Sequence, residues 1–132
     1  MAWVYHQTTG ILTFHGRVVS RGGYSGWGRY KNDPTAESIP YAGPIPRGWY
    51  RIGKPYDDPT LHDSVTKKET HHGLGPHVME LLPDGHNARG RTLFRIHGDN
   101  RTGTASNGCI ILPPDIRQRI SQSGLDRLLV DL

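Results

Sequence analysis

Between residues 3 and 7, Trp3, Tyr5 and Gln7 alternate with Val4 and His6 and share one face of an extended strand. "TTG" follows, and residues 11–19 read as a second strand, so the two segments predict a hairpin. "RGGYSGWGRYKNDP" has four glycines between residues 22 and 28, which predict a tight turn setting Tyr24 and Ser25 on a cleft wall. "IPYAGPIPRGWYRIG" leads through a proline–glycine turn into a short strand at residues 49–52. Residues 53–90, rich in Pro, Asp, His and Gly, read mostly as loops around one short strand at 78–82. Alternation returns in "RTLFRIHG", where Leu93, Arg95 and His97 point one way and Phe94 and Ile96 the other. "PPDIRQRISQSG" predicts a helix: Pro114 near its start, Ile116 and Ile120 one turn apart, Gly124 as its stop. "LDRLLVDL" continues as a last strand or more helix. The sum is a mainly β fold, with one or two short helices, in one domain over residues 1–132.

Composition agrees with that pattern. Of 132 residues, 34% are apolar, 17 are glycine and 10 are proline, which favours many turns and short strands over a helical bundle. The net charge of +4 favours an anionic partner. No block of consecutive Lys or Arg marks a dedicated nucleic-acid-binding arm, so no nucleic acid is expected; an anionic polymer such as a bacterial cell wall is the other candidate. The first twenty residues lack the basic start and apolar core of a secretory signal. No run nears the roughly 18 apolar residues of a membrane span. The chain is therefore expected to be made in the cytoplasm and, if it works elsewhere, to be carried there by another machine.

The chain has a single cysteine, so it forms no internal disulfide. A lone cysteine is by default a small buried apolar residue. Cys109, however, follows the turn sequence "SNG" and precedes the apolar "IIL", where a loop enters the core. Gly108 leaves the approach to the sulfur clear, and the N–H groups of Gly108 and Cys109 are candidate oxyanion donors. His97 ends a strand on its polar side. A cysteine nucleophile works as a thiolate, and a histidine supplies it by taking the proton or by pairing with the anion. All eight histidines precede Cys109, so any such pair runs His then Cys.

"IHG", a polar loop and "SNGCI" resemble the signature of the L,D-transpeptidase (YkuD-like) domains, and "GPIPRGWYRIG" resembles the turn and strand upstream of it. With "WVYHQTTGIL" and "GYSG", these blocks look most like the Tlde1 group of type VI secretion effectors, over residues 3 to about 129. The resemblance implies a β-sandwich or barrel-like catalytic domain acting on peptidoglycan peptide stems. It implies Cys109 as the acylated nucleophile, His97 as its base, Gly108 and Cys109 as oxyanion donors, and Ser106 as the motif serine, ordering the loop or holding substrate. Tyr24, Ser25, Asn107 and Asp99 are the expected substrate-side residues. Asp99 either polarises the imidazole or bonds local backbone, and the second is the better expectation. Asn107 stands where the family usually has a second histidine, and Ile111 where it has Arg or Asn. The spacer of eight residues between His97 and Ser106 is short. The resemblance further implies export by a secretion system, action in the target-cell periplasm, a cognate immunity protein and no cofactor.

Other constellations carry less. His71, His72, His77 and His86 crowd a loop without the cysteine or HExxH pattern of a zinc site, so no metal is expected. "GGYSGWG" lacks the Lys–Ser/Thr end of a phosphate loop. Trp3, Tyr5, Trp27 and Trp49 fit packing better than a carbohydrate platform. Two other functions stay open: a cysteine peptidase or amidase cutting another bond of the wall, and a non-catalytic wall-binding module with a structural Cys109.

Overall fold

The alternating N-terminal residues form β1 (Trp3–His6), with Trp3 and Tyr5 buried as their shared face requires. In this computed structural model, which describes residues 2–100 and 102–132, β2 (Ile11–Phe14) returns antiparallel against it. The expected single strand over 11–19 is broken at His15 and Gly16. Both have positive φ, 52° and 77°, which makes a tight primed turn, and β3 (Arg17–Ser20) folds back on β2.

The chain then adds β4 (Tyr24–Ser25), 3-10 turns at Gly28–Tyr30 and Pro34–Ala36, and β5 (Gly48–Ile52). The region expected to be loop is more ordered than its composition indicates. It contains β6 (Tyr56–Asp58), the small hairpin of β7 (Leu61–His62) and β8 (Glu69–His71), and the ten-residue β9 (Gly75–Asp84). A third 3-10 turn (Ala88–Gly90) leads to β10 (Phe94–His97) and β11 (Ile110–Ile111). Helix α1 (Pro114–Gln122) and β12 (Arg127–Asp131) complete the chain. The fold is mainly β with one short α-helix.

The main sheet runs β3-β2-β1-β12-β5-β9-β10-β11-β4, with β6 also on β9. Register lines up one apolar stripe across it. Trp3 pairs with Leu128 and Leu128 with Tyr50; Leu81 pairs with Phe94, Met79 with Ile96, and Ile96 with Ile110. All of these are at most 3% exposed. Ile116 and Ile120 of α1 join this core, each worth roughly 1.5–3 kcal/mol if fully buried. Pro114 opens the helix and Gly124, at φ 74°, follows its end, as the sequence predicts.

A polar knot fixes the loop between the Pro34–Ala36 turn and β5. Glu37 is 3% exposed, and its Oε2 accepts from Gln7 Nε2 (2.8 Å), the Arg47 N–H (2.8 Å) and Arg47 Nε (3.0 Å). Burial pushes this carboxyl up, but the Arg47 and Gln7 hydrogen bonds outweigh it and hold the group below the ordinary glutamate range. A depressed carboxyl contributes stability that is complete above its unfolded value and lost as pH falls through its folded one. Urea midpoints are therefore expected to fall on acidification below about pH 4.3, the ordinary glutamate value. Glu37→Gln should flatten that slope and cost about 1–3 kcal/mol at neutral pH. An equal acid slope in both proteins would exclude Glu37 as its source.

Candidate active site

Strand register sets the chain's single thiol on the same sheet face as His97. β10 and β11 are parallel, pairing Ile96 with Ile110 and His97 with Ile111. Continued by one residue, that register sets Cys109 beside Arg95, diagonal to His97 and on the same face. Phe94 and Ile96 point into the core on the other face, as the alternation predicts. Cys109 and His97 both line a cleft of about 600 Å³, whose rim includes Tyr41, Leu93 and Asn107.

His97 is 3% exposed. Its Nδ1 lies 2.8 Å from the Gly98 carbonyl oxygen, which can only accept. Nδ1 therefore carries the proton in the neutral ring, and Nε2 presents a lone pair. Burial, above all, pushes the imidazole below the ordinary histidine value; the Gly98 carbonyl and Asp99 oppose this, and Arg117 and Arg95 add to it. Burial likewise pushes the Cys109 thiol up, against the Arg95 backbone and the charges of Arg95 and Arg91. The thiol donates to the Leu93 carbonyl at 3.7 Å, a long contact. Both shifts favour the uncharged form of each group.

Ser106 is fully buried, and its hydroxyl orders the loop. Oγ donates to the Cys109 carbonyl (2.6 Å) and accepts from the N–H groups of Gly26 (2.9 Å) and Gly108 (3.2 Å). That last bond engages the Gly108 N–H, one of the two expected oxyanion donors, with Ser106. The glycine has another reason. At φ 130°, a Cβ on Gly108 would sit 2.5 Å from Arg91 Nη2. Gly108 makes room for a guanidinium rather than for substrate.

Three of the expected substrate-side residues lie off the cleft. Ser25 is fully buried, donating from Oγ to the Gly108 carbonyl (3.3 Å) and accepting from the Ile45 N–H (2.8 Å). The Tyr24 hydroxyl donates to Asp99 Oδ1 (2.5 Å) and accepts from the Ala105 N–H (3.0 Å), and burial first and Asp99 second push it up to about 12. Asp99 also accepts from the Asn100 N–H, the local backbone role expected of it. Asn107 alone of the four lines the cleft, with its side chain exposed.

The sequence reading missed Arg91. It is 9% exposed, and its guanidinium donates to the carbonyls of Glu37, Pro44, Gly43 and Asn107, at 2.7 to 3.3 Å. Arg95 was placed on the correct face but given no role. It lines the cleft, and among the described residues its buried Nε has no hydrogen-bond partner. The clustered histidines have other duties: His71 and His72 pair with Asp58 and Glu69, and His86 bridges the Trp49 carbonyl and the Ala88 N–H. Trp3 is buried, and Trp49 packs under Arg127, 4.3 Å from its guanidinium carbon.

The sequence profile of the Tlde1 domain matches residues 20–129. No curated protein matches the chain. Among solved structures, a Cys-to-Ser mutant of the Enterococcus faecium L,D-transpeptidase superposes with a TM-score of 0.53 at 15% identity, covering 98% of this chain and 48% of that one. The chain thus spans about half the length of that protein, and at this identity the likeness is one of fold.

Ser106→Ala leaves two N–H groups and a carbonyl beside Cys109 without their partner. It is expected to cost about 1–3 kcal/mol in urea denaturation. Alkylation of Cys109 by iodoacetamide should be slow at neutral pH and rise through a value above that of a free cysteine. Arg95→Gln, which removes a charge favouring the thiolate, should slow it about threefold further at pH 8. Fast neutral labelling would contradict the assigned protonation state.

Proposed function

Since the chain belongs to the Tlde1 domain family, we propose that it is a peptidoglycan-directed cysteine acyltransferase or hydrolase, with Cys109 as nucleophile and His97 as base. The observation that carries this reading is the shared face of Cys109 and His97 in one cleft, with Nδ1 of the histidine tied to the Gly98 carbonyl. The substrate is the peptide stem, and the bond attacked joins its third residue to a terminal D-Ala. As Sγ closes on the carbonyl carbon, its proton passes to His97 Nε2. The oxyanion is received by the Cys109 N–H. The imidazolium returns its proton to the leaving D-Ala amine, and a thioester on Cys109 remains. Water resolves it to a shortened stem, or an amine resolves it to an exchanged or crosslinked one. Arg95 and Arg91 supply positive charge while sulfur is anionic. Asn107, on the cleft wall, is the residue in position to sort acceptors.

In this reading the protein is a secreted antibacterial toxin. It acts in the periplasm of a target cell after delivery by a secretion system, and the producer carries an immunity protein that covers the cleft.

Incubation with defined tetrapeptide muropeptides, followed by mass spectrometry, tests the chemistry. Loss of D-Ala, or its exchange for added D-amino acid, is expected. Cys109→Ala and His97→Ala should each reduce it by at least about a hundredfold. Release of D-Ala by Cys109→Ala would remove the thiol from the mechanism. In cells, growth should slow when the chain is directed to the periplasm and not when it stays in the cytoplasm. Toxicity that survives Cys109→Ala would favour the wall-binding alternative.

A further inference from the structure

A second pocket, of about 580 Å³, lies across Leu74 from the cysteine cleft; Leu74 lines both. Arg117 of α1 lines it and is only 2% exposed. Its Nε donates to the Pro76 carbonyl (2.9 Å) and its Nη1 to the Leu112 carbonyl (2.6 Å). Among the described residues Nη2 has no hydrogen-bond acceptor, and no carboxylate lies within ion-pair distance of this guanidinium. Asp115 acts on it only at longer range, and Asp99, which also lines the pocket, is engaged through Oδ1 by Tyr24 and Asn100. Two glycines clear space around it: a Cβ on Gly75 would lie 3.0 Å from Nη2, and one on Gly98 3.1 Å from Nη1. Both glycines line the pocket.

A buried cation held by carbonyls alone, with no counter-ion, is costly unless an anion completes it. We propose that this pocket is a carboxylate-binding subsite anchored by Arg117. A guanidinium edge matches a carboxylate in geometry as well as in charge. The neighbouring walls of Ile111, Leu112 and Pro113 suit an organic acid better than a small inorganic anion. The carboxylate belongs either to a peptide stem or to a free amino acid. The subsite does not depend on the acyl-transfer reading, and its test requires no turnover.

The experiment uses isotope-labelled Cys109→Ala protein and follows the Arg117 Nε–H and the Gly75 and Gly98 amides by NMR. Sodium acetate should shift all three saturably, and sodium chloride at matched ionic strength should not. Arg117→Lys should weaken acetate binding about tenfold. Should that variant not fold, the titration with Arg117 in place still decides: no saturable acetate shift overturns the proposal. Free D-alanine and a tetrapeptide, with its terminus free or amidated, then separate the sources. Binding lost on amidation assigns the stem's own carboxylate. Saturation by D-alanine, with the amidated stem unaffected, assigns the free amino acid. Shifts with acetate alone mean an adventitious anion only and overturn the subsite.

Discussion

The site depends on one short interaction, the parallel pairing of β10 with β11, which runs over only two residue pairs. It sets Cys109 diagonal to His97 and turns both away from the core stripe. A one-residue slip would send the thiol into the apolar face and Ile110 into the cleft. Parallel neighbours need a crossover of a dozen or so residues, usually a helix. Among the described residues of 98–109 there is no helix, and backbone groups that a helix would satisfy are met by side chains. Ser106 holds the cysteine end of the loop, and Tyr24 reaches it through Asp99 and Ala105. Asn100 accepts from the Thr102 and Thr104 N–H groups. The polar composition of this stretch is therefore the means by which so small a parallel pair keeps its register.

The same burial that fixes the geometry decides the protonation states. Desolvation acts in opposite directions on an acid and on a base, and both shifts favour uncharged partners. Arg91 and Arg95 place positive charge near the sulfur, and Asp99 acts on the imidazole against the effect of burial.

Much of this was legible in the sequence. The alternation in residues 3–7 and 93–97, the helix start at Pro114 and the mainly β class are written in local periodicity, and the structure follows them. The placement of His97 and Cys109 at strand ends was also visible, since both interrupt apolar runs beside glycine. What local pattern could not reveal was pairing at long range. Residues 53–90 look like loop by composition, yet β9 is a strand because β5, β6 and β10 satisfy its backbone. Tyr24 and Ser25 were expected at the cleft, but β4 pairs with β11 and turns their hydroxyls into internal fasteners. Arg91 gave no signal, because its four carbonyl partners come from segments distant in sequence. The engagement of the Gly108 N–H gave no signal either: the Ser106 hydroxyl, two residues earlier, accepts from it.

β12 lies between β1 and β5, joined in parallel to the first and antiparallel to the second. In chain order it is the final strand. During synthesis, β1 and β5 therefore leave the ribosome with facing edges that have nothing to pair with. The middle of the sheet closes only when residues 127–131 have been released. Contacts that span nearly the whole chain slow folding, and unpaired edges invite association meanwhile. The interval between translation and closure is when this polypeptide is an open chain with two unpaired edges.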